Sequence, residues 1–557
     1  MSISLSDPAA VNLIDRTPSA YDSPLLIKHL LQTPLAHATD QEIVYRDLQR
    51  FDYPTLRQRI GQLATGLASL GVKPGSTVAM MDWDSHRYLE CYFALPMMGA
   101  VLHTVNIRLS PEQILYTINH AEDHVVLVNA EFLPVLEEIK DRIEPVKKFV
   151  LLTDGGDRPT TSLPIAAEYE ELLASSSAEY TFGDFDENTR ATTFYTTGTT
   201  GLPKGVYFSH RQLLLHTLAG MAALATAPGG QRLHGADVYM PITPMFHVHA
   251  WGVPYMATVM GIKQVYPGRY TPDGLLGLIQ REKVTFSHCV PTLLHMLLNS
   301  PASQNVDLAG WKVIIGGSAL PKGLARAALE RGIDVFGGYG MSETGPILTI
   351  AQLTPAMLEQ DTDGQVDVRV KAGRPIPLVD LRIVDDDTRD VAHDGQTAGE
   401  VVVRAPWLTQ GYFKDRQNSE QLWRGGYLHT SDIGTIDPLG YLLITDRIKD
   451  VIKSGGEWIS SLEIEDILSQ HPGVSEAAVI GVPDEQWGER AVALVVLRPS
   501  HAGTISEDEI KAYVAGYAEK GVISKWAVPR RVLVVDLIDK TSVGKLDKKL
   551  LRQKYAQ

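Results

Sequence analysis

Between residues 55 and 330 the sequence alternates stretches of helical period with short apolar runs, and this alternation restricts the fold more than any other feature of the chain. Leu56, Ile60, Leu63, Leu67 and Leu70 recur at steps of three and four until Gly71 and Pro74 stop the pattern, which predicts an amphipathic helix over 55–70. Thr77–Met81 reads as a short buried strand. Ser110-Pro111-Glu112-Gln113 predicts a helix start, with a capping serine, proline at the first helical position and a glutamine that returns the capping hydrogen bond. Strand-like runs follow at Val125–Val128 and Phe149–Leu152; helical Pro272–Gln280 precedes Val284–Cys289, and Val313–Ile315 precedes a helix near Pro321. Strands separated by helices need crossovers, so the expected body is α/β, multi-layered and built on mostly parallel sheets.

After about residue 370 the texture changes to short strands between turns, at Leu381–Val384, Glu400–Arg404 and Tyr441–Ile444, which suggests an appended antiparallel or barrel-like unit over about 370–446. From Asp450 the chain has a small α+β complement of its own. It comprises a helix capped by Ser460 with Glu463 at the capping-box position, strands near Ala477–Val482 and Ala491–Leu497, a helix near Glu507–Tyr517 and a strand at Arg531–Val535. A chain of 557 residues exceeds what one core supports. The expected division is therefore a large domain at 1–446 and a separate C-terminal unit at 450–557.

The net charge of −15 argues against a nucleic-acid or anionic-lipid partner, because either surface would repel the protein as a whole. Cys91 and Cys289 lie far apart with no ligand-like spacing around them, so neither a disulfide framework nor a zinc site is expected, and a reducing, cytoplasmic setting is the simplest. The start lacks a basic segment followed by an apolar one, as a secretory signal would require. The longest apolar run, Cys91–Leu102, contains Pro96 and Gly99 and is shorter than the roughly 20 residues of a membrane span.

The chemistry concentrates first in Tyr195-Thr196-Thr197-Gly198-Thr199-Thr200-Gly201-Leu202-Pro203-Lys204-Gly205. Glycines let backbone amides face an anion, threonines add hydroxyl donors, and Lys204 supplies a mobile positive charge, a combination suited to polyphosphate. Its spacing does not fit GxxxxGK[ST], so it is not the usual P-loop. By itself the segment says only that anions bind.

This stretch resembles the phosphate loop of the adenylate-forming superfamily, which contains acyl-CoA synthetases, nonribosomal peptide synthetase adenylation domains and firefly-type luciferases. Further blocks occur in that superfamily's order: Pro244-Met245-Phe246-His247-Val248-His249-Ala250-Trp251, Gly316-Gly317-Ser318-Ala319, Gly338-Tyr339-Gly340-Met341-Ser342-Glu343-Thr344, Thr430-Ser431-Asp432, Asp446-Arg447-Ile448-Lys449-Asp450 and Gly544-Lys545. The texture is most similar to bacterial medium- and long-chain fatty acyl-CoA synthetases, especially at Lys453-Ser454-Gly455-Gly456-Glu457-Trp458.

The resemblance implies an ATP site formed by Thr196 to Gly201, Lys204, Gly317, Ser318, Ala319, Gly338, Tyr339, Gly340, Ser342, Asp432 and Arg447. In it Tyr339 stacks on adenine and Asp432 accepts the ribose hydroxyls. Glu343 is implied as the Mg²⁺ ligand, consistent with the hard oxygen donors this ion takes. His247, Trp251, Gly316 and Gly340 are implied to border the acyl pocket, Lys453, Gly455, Gly456, Glu457 and Trp458 the coenzyme A side, and Lys449, within 447–449, the hinge of a mobile C-terminal lid. Lys545 is implied as the lid's catalytic lysine, with Lys204, His247 and Glu343 acting beside it, whereas Lys548 and Lys549 read as solvated. Three departures stand out: Ser342 where relatives usually carry threonine, Asp539 in place of a proline, and His249 in place of an asparagine. A second imidazole at the acyl entrance leaves a more polar or shorter acid open.

The resemblance as a whole implies an ATP-, Mg²⁺- and coenzyme A-dependent ligase for a small carboxylic acid, with a medium-chain fatty acid leading. Short, branched, hydroxylated or thioether acids stay open, as does a homodimer. The segment around His247 lacks an acidic anchor for an amino acid's ammonium group, and a non-catalytic nucleotide-binding protein is the rival from another class.

Overall fold

A computed structural model describes residues 14–156, 158–196, 202–454, 457–501, 503–541 and 544–556. Two large sheets organise the body. One has nine strands in the order Arg374–Pro375, Ile347–Ile350, Asp334–Gly340, Lys312–Ile315, Phe286–Cys289, Val238–Ile242, Lys263–Tyr266, Glu42–Tyr45 and Gln49–Asp52; its interior pairs are parallel and its ends antiparallel. The other has seven, in the order Ile165–Glu168, Lys148–Leu152, Asp123–Asn129, Thr77–Met81, Val101–Thr104, Arg190–Thr196 and Lys204–Ser209, and only the last pair is antiparallel.

Local sequence explains most boundaries. The helix Tyr53–Ser69 starts where the Asp52 side chain accepts from Thr55 N, and it buries Leu56, Ile60, Leu63 and Leu67. Ser110 and Gln113 form the reciprocal capping box at Pro111–Ala121. Every residue of the helix His86–Met97 is buried, so its polar side chains must be paired. Glu90, fully buried, accepts from Arg59 Nε at 2.6 Å and from the Tyr169 hydroxyl at 2.5 Å. No helix among the described residues is long and apolar enough to cross a membrane.

The unit after residue 370 is a four-stranded antiparallel sheet, Asp380–Val384, Gly399–Arg404, Leu428–Ile436 and Leu442–Arg447, with strands paired in sequence order. The sequence pattern misses Leu428–Ile436, whose polar Thr430, Ser431 and Asp432 interrupt strand alternation. From Ile452 onward a five-stranded sheet with helices Ser461–Ser469, Glu507–Glu519 and Lys548–Tyr555 encloses cores drawn solely from residues 452–556.

This C-terminal unit meets the body through polar contacts. The Asp446 carboxylate accepts from Ser461 N at 2.7 Å and from Ser461 Oγ at 2.6 Å, and Asp466 accepts from Lys322 N at 2.9 Å. Lys548 corrects one expectation. It is buried, donating to Ser461 Oγ at 2.6 Å and pairing with Glu465 at 2.8 Å, because the unrecognised helix Lys548–Tyr555 turns it inward while Lys549 stays exposed.

Candidate active site

The parallel strands of the nine-stranded sheet release the chain at their C-terminal ends, where ligands gather in open α/β sheets. Val238–Ile242 leads to His247, Phe286–Cys289 to Val290 and Thr292, and Lys312–Ile315 to Gly316 and Gly317, while Asp334–Gly340 itself ends in Tyr339 and Gly340. Distant sequence blocks thus meet along one edge.

Glycine is required at three of these positions. A β-carbon on Gly316 would sit 2.9 Å from the Trp251 ring and 3.0 Å from Gly338 O; one on Gly340 would fall 1.7 Å from Pro346 O; Gly317 holds φ +79°. Tyr339 reaches across to the antiparallel unit, where its hydroxyl donates to Asp432 Oδ2 at 2.8 Å. Asp432 and Arg447 are cross-strand partners, and Arg447 Nε lies 3.2 Å from Asp432 Oδ1. Burial pushes the Asp432 carboxyl up from its usual range, opposed by Arg447 and by the Tyr339 hydrogen bond.

Glu343 is buried in the short turn Ser342–Thr344. Its Oε1 accepts from the Tyr412 hydroxyl at 2.8 Å, and the Lys204 ammonium lies over the Tyr412 ring, 4.6 Å from its centre. Burial raises the Glu343 carboxyl, against the opposing effects of Tyr412, Arg447 and Lys204. Tyr412 is not singled out by the sequence: Gly411-Tyr412-Phe413 carries no signature that separates it from an ordinary turn. A buried carboxylate with one hydroxyl donor suits a Mg²⁺ ion, which takes one or two carboxylates together with substrate phosphates.

Lys545 arrives from the C-terminal unit. Its turn is tied at both ends, with Thr541 N donating to Lys545 O at 2.7 Å and Lys545 N to Thr541 Oγ1 at 3.2 Å, and Gly544 takes φ +82°. The turn docks on the body through Thr292 Oγ1, which donates to Gly544 O at 3.1 Å; Thr292 is a second residue absent from the sequence expectations. The lysine stem lies against Gly317, so that a β-carbon there would be 3.2 Å from Cε and 3.9 Å from Nζ. Burial first, then Arg447, push the ammonium down to about 8, while Asp432 and Glu343 oppose the shift.

His247 lies at the start of an unusual segment. Val248, His249, Ala250 and Trp251 all have φ between 47° and 59°, making a left-handed turn of four non-glycine residues, a conformation that costs roughly 1–2 kcal/mol per residue. Burial, reinforced by Lys545, Arg108 and His249, pushes the His247 imidazole down to about 3, so it is neutral at working pH. Trp251, 6% exposed, lies between Gly316 and the His288 ring, whose centre is 4.9 Å away.

The structure therefore brings together Lys204, Gly316, Gly317, Tyr339, Gly340, Glu343, Asp432, Arg447 and Lys545, with Thr196 paired opposite Lys204 at the mouth of their hairpin. Gly338 packs on Ile314, Ser342 opens the Glu343 turn, and Ser318 and Ala319 are exposed beyond Gly317. Thr197, Gly198, Thr199, Thr200 and Gly201 lie outside the described residues, as do Gly455 and Gly456. Lys453 and the backbone of Glu457 and Trp458 form a hairpin of the C-terminal unit, and Lys453 N donates to Glu489 at 2.9 Å. Lys449 is exposed at the crossing between units.

Comparison with known proteins identifies relatives along nearly the whole chain. A long-chain-fatty-acid–CoA ligase of Thermus thermophilus is 38% identical over 543 residues, covering 96% of both chains. A 3-methylmercaptopropionyl-CoA ligase of Ruegeria lacuscaerulensis is 36% identical over 542 residues, covering 96% of this chain and 97% of the relative. Among solved structures, ATP-bound MatB from Rhodopseudomonas palustris superposes with a TM-score of 0.80 at 25% identity, covering 96% of this chain and 99% of that one. Residues 31–413 match the AMP-binding enzyme family and residues 463–545 the AMP-binding enzyme C-terminal domain, so this chain belongs to the AMP-binding enzyme family.

Proposed function

We propose that this chain is an AMP-forming acid–thiol ligase that converts a small carboxylic acid to its coenzyme A thioester at the expense of ATP. The observation that carries this reading is the docking of Lys545 from one unit against Gly317 of the other, within the electrostatic reach of Asp432, Glu343 and Arg447. Such a lysine neutralises charge that develops when the acid's oxygen attacks the α-phosphorus and pyrophosphate leaves. Lys204 and the backbone of Thr196 to Gly201 hold the phosphates, Tyr339 covers the adenine, and Asp432 with Arg447 takes the ribose. Glu343 would hold Mg²⁺, which supplies charge neutralisation on the phosphates. His247, neutral, borders the reacting carboxylate.

In the second half-reaction the thiol sulfur of coenzyme A attacks the acyl carbon of the mixed anhydride, the acyl–oxygen bond breaks and AMP leaves with the electron pair. For this step residues 450–557 rotate about 447–449, withdrawing Lys545 and presenting Lys453 to Trp458 to the thiol. Alkanoic acids and short substituted acids are both within the substrate range of the relatives named above. Mg²⁺ dependence, a cytoplasmic location and a homodimer belong to the same proposal; metal titration, fractionation and light scattering test them.

The direct test supplies ATP, Mg²⁺ and coenzyme A with a panel of carboxylic acids and identifies thioesters by mass spectrometry. A thioester appearing with stoichiometric AMP is expected. AMP release without thioester from any acid overturns coenzyme A as acceptor, and absence of acid-dependent pyrophosphate release leaves a non-catalytic nucleotide binder.

A further inference from the structure

Residues 407–413 tie the two large sheets together beside the site. On one side they run along Lys204–Ser209, the outer strand of the seven-stranded sheet: Tyr412 forms an antiparallel bridge with Val206, and Phe413 N donates to Gly205 O at 2.8 Å. On the other side they grip the Glu343 turn of the nine-stranded sheet. Thr409 N donates to Glu343 O at 3.0 Å, and Trp407 Nε1 to Thr344 O at 3.0 Å. Glu343 in turn lies within the electrostatic reach of Lys204, Arg447 and Lys545, so the junction belongs to the charged cluster that the fold assembles.

Both ends of the Tyr412 side chain are engaged there. The hydroxyl donates to Glu343 Oε1 at 2.8 Å, since an ionised carboxylate can only accept. The ring packs against both flanking cores and offers a face to the Lys204 ammonium, 4.6 Å from its centre. An aromatic face holds a cation without cancelling its charge, as a carboxylate partner would. A phenylalanine would fill the same space and hold the lysine equally well; only the Glu343 carboxylate uses the phenol oxygen. Tyr412 and Lys204 are half-buried, so the junction is not sealed inside a core.

Building on the ligase reading, we infer that Tyr412 is a positioning residue for ATP and its metal: the hydroxyl orients the Glu343 carboxylate, the ring orients the Lys204 ammonium, and one side chain sets the spacing of both. A carboxylate held by a hydrogen bond meets a metal ion already oriented, and losing such a supporting partner typically costs about 10- to 100-fold in metal affinity. The lysine, resting on the ring, gives up less freedom when it meets a phosphate. The two effects come from different atoms of Tyr412 and are therefore separable.

The test measures ATP affinity by calorimetry, with excess Mg²⁺ and with EDTA, in wild type, Tyr412→Phe and Tyr412→Leu, and follows thioester formation from a panel of acids alongside. Wild type is expected to gain affinity from Mg²⁺. Tyr412→Phe, which keeps the ring, is expected to shrink that gain by about 10- to 100-fold while its metal-free affinity stays within about threefold of wild type. Tyr412→Leu is expected to shrink the gain equally and also to lower metal-free affinity by about 3- to 10-fold, because Lys204 loses its platform. In a Glu343→Gln background, Tyr412→Phe is expected to change nothing further, and this cycle decides the matter even where the leucine variant does not fold. A gain that Tyr412→Phe leaves unmoved overturns the inference. So do equal losses with and without metal, the mark of general loosening, and a wild type that gains nothing from Mg²⁺. Each of these failures still yields thioester and leaves the ligase reading standing. Absence of ATP binding and of thioester from every acid, in wild type and variants alike, overturns the ligase reading itself.

Discussion

Replacing Lys545 by alanine separates the two half-reactions. In the docked arrangement the ammonium lies against Gly317 and its pKa falls from 10.5 to about 8. At ~1.4 kcal/mol per pH unit this is ~3 kcal/mol of desolvation and repulsion, trimmed to ~2–3 kcal/mol by the lysine's partial exposure. A charge held largely away from water is worth most when negative charge develops beside it, and removing one such preorganised group typically lowers a rate by about 10²–10³-fold. Acid-dependent pyrophosphate release by Lys545→Ala is therefore expected to fall by about 10²–10³-fold, whereas thioester formation from supplied acyl-adenylate and coenzyme A stays within about threefold of wild type. The titration gives a second readout. Because the folded pKa is depressed, the ammonium is present below pH 8 and lost above it, so kcat/KM for ATP falls as pH rises through about 8. Lys545→Arg, whose guanidinium stays charged, removes that inflection. Equal loss of both half-reactions in the alanine variant, or a wild-type profile that stays flat well above pH 8, would refute the assignment.

Three other substitutions probe the supports. Thr292→Ala removes the hydrogen bond to Gly544 O and should slow pyrophosphate release by about 2- to 10-fold, in line with ~0.5–1.5 kcal/mol for one bond, without slowing the thiol step; an effect confined to the thiol step would contradict the docking. Gly340→Ala places a β-carbon 1.7 Å from Pro346 O, so a destabilisation of ~1–3 kcal/mol and loss of the ATP-dependent rise in Tm are expected; a normal Tm and a normal rise would count against the site. Glu90→Ala removes a buried carboxylate bonded to Arg59 and Tyr169. A loss near ~3 kcal/mol in urea unfolding is expected, the lower end for a broken buried pair, because Glu170 still holds Arg59; a loss below ~1 kcal/mol refutes it.

Much of the body is legible in the sequence because its signals are local. The Ser110 capping box, the 55–70 helix and the Thr77–Met81 strand depend on residues within one or two turns of one another. Asp432 and Arg447 can be named from their motifs, but their pairing across two antiparallel strands is a property of register, which sequence spacing does not give. Tyr412 and Thr292 escape a sequence reading since each matters only through a partner 69 and 252 residues away. Lys548 misleads for a related reason: in a basic run, burial depends on Glu465 and Ser461, contributed by another helix. The left-handed turn at 248–251 is equally invisible, as valine, alanine and tryptophan have no local preference for that conformation.

The seam between the two units has a consequence for turnover. Its bonds run from Asp446 to Ser461, from Asp466 to the amide of Lys322 and from Gly544 O to Thr292, rather than between greasy faces. Water can take over each of these partners as the units separate, at a net change of about 0.5–1.5 kcal/mol per bond. A lid held by such contacts wets as it lifts and dries as it lands. An oily joint would have to expose its whole area at once, and so would favour a single resting pose over a shuttle between two.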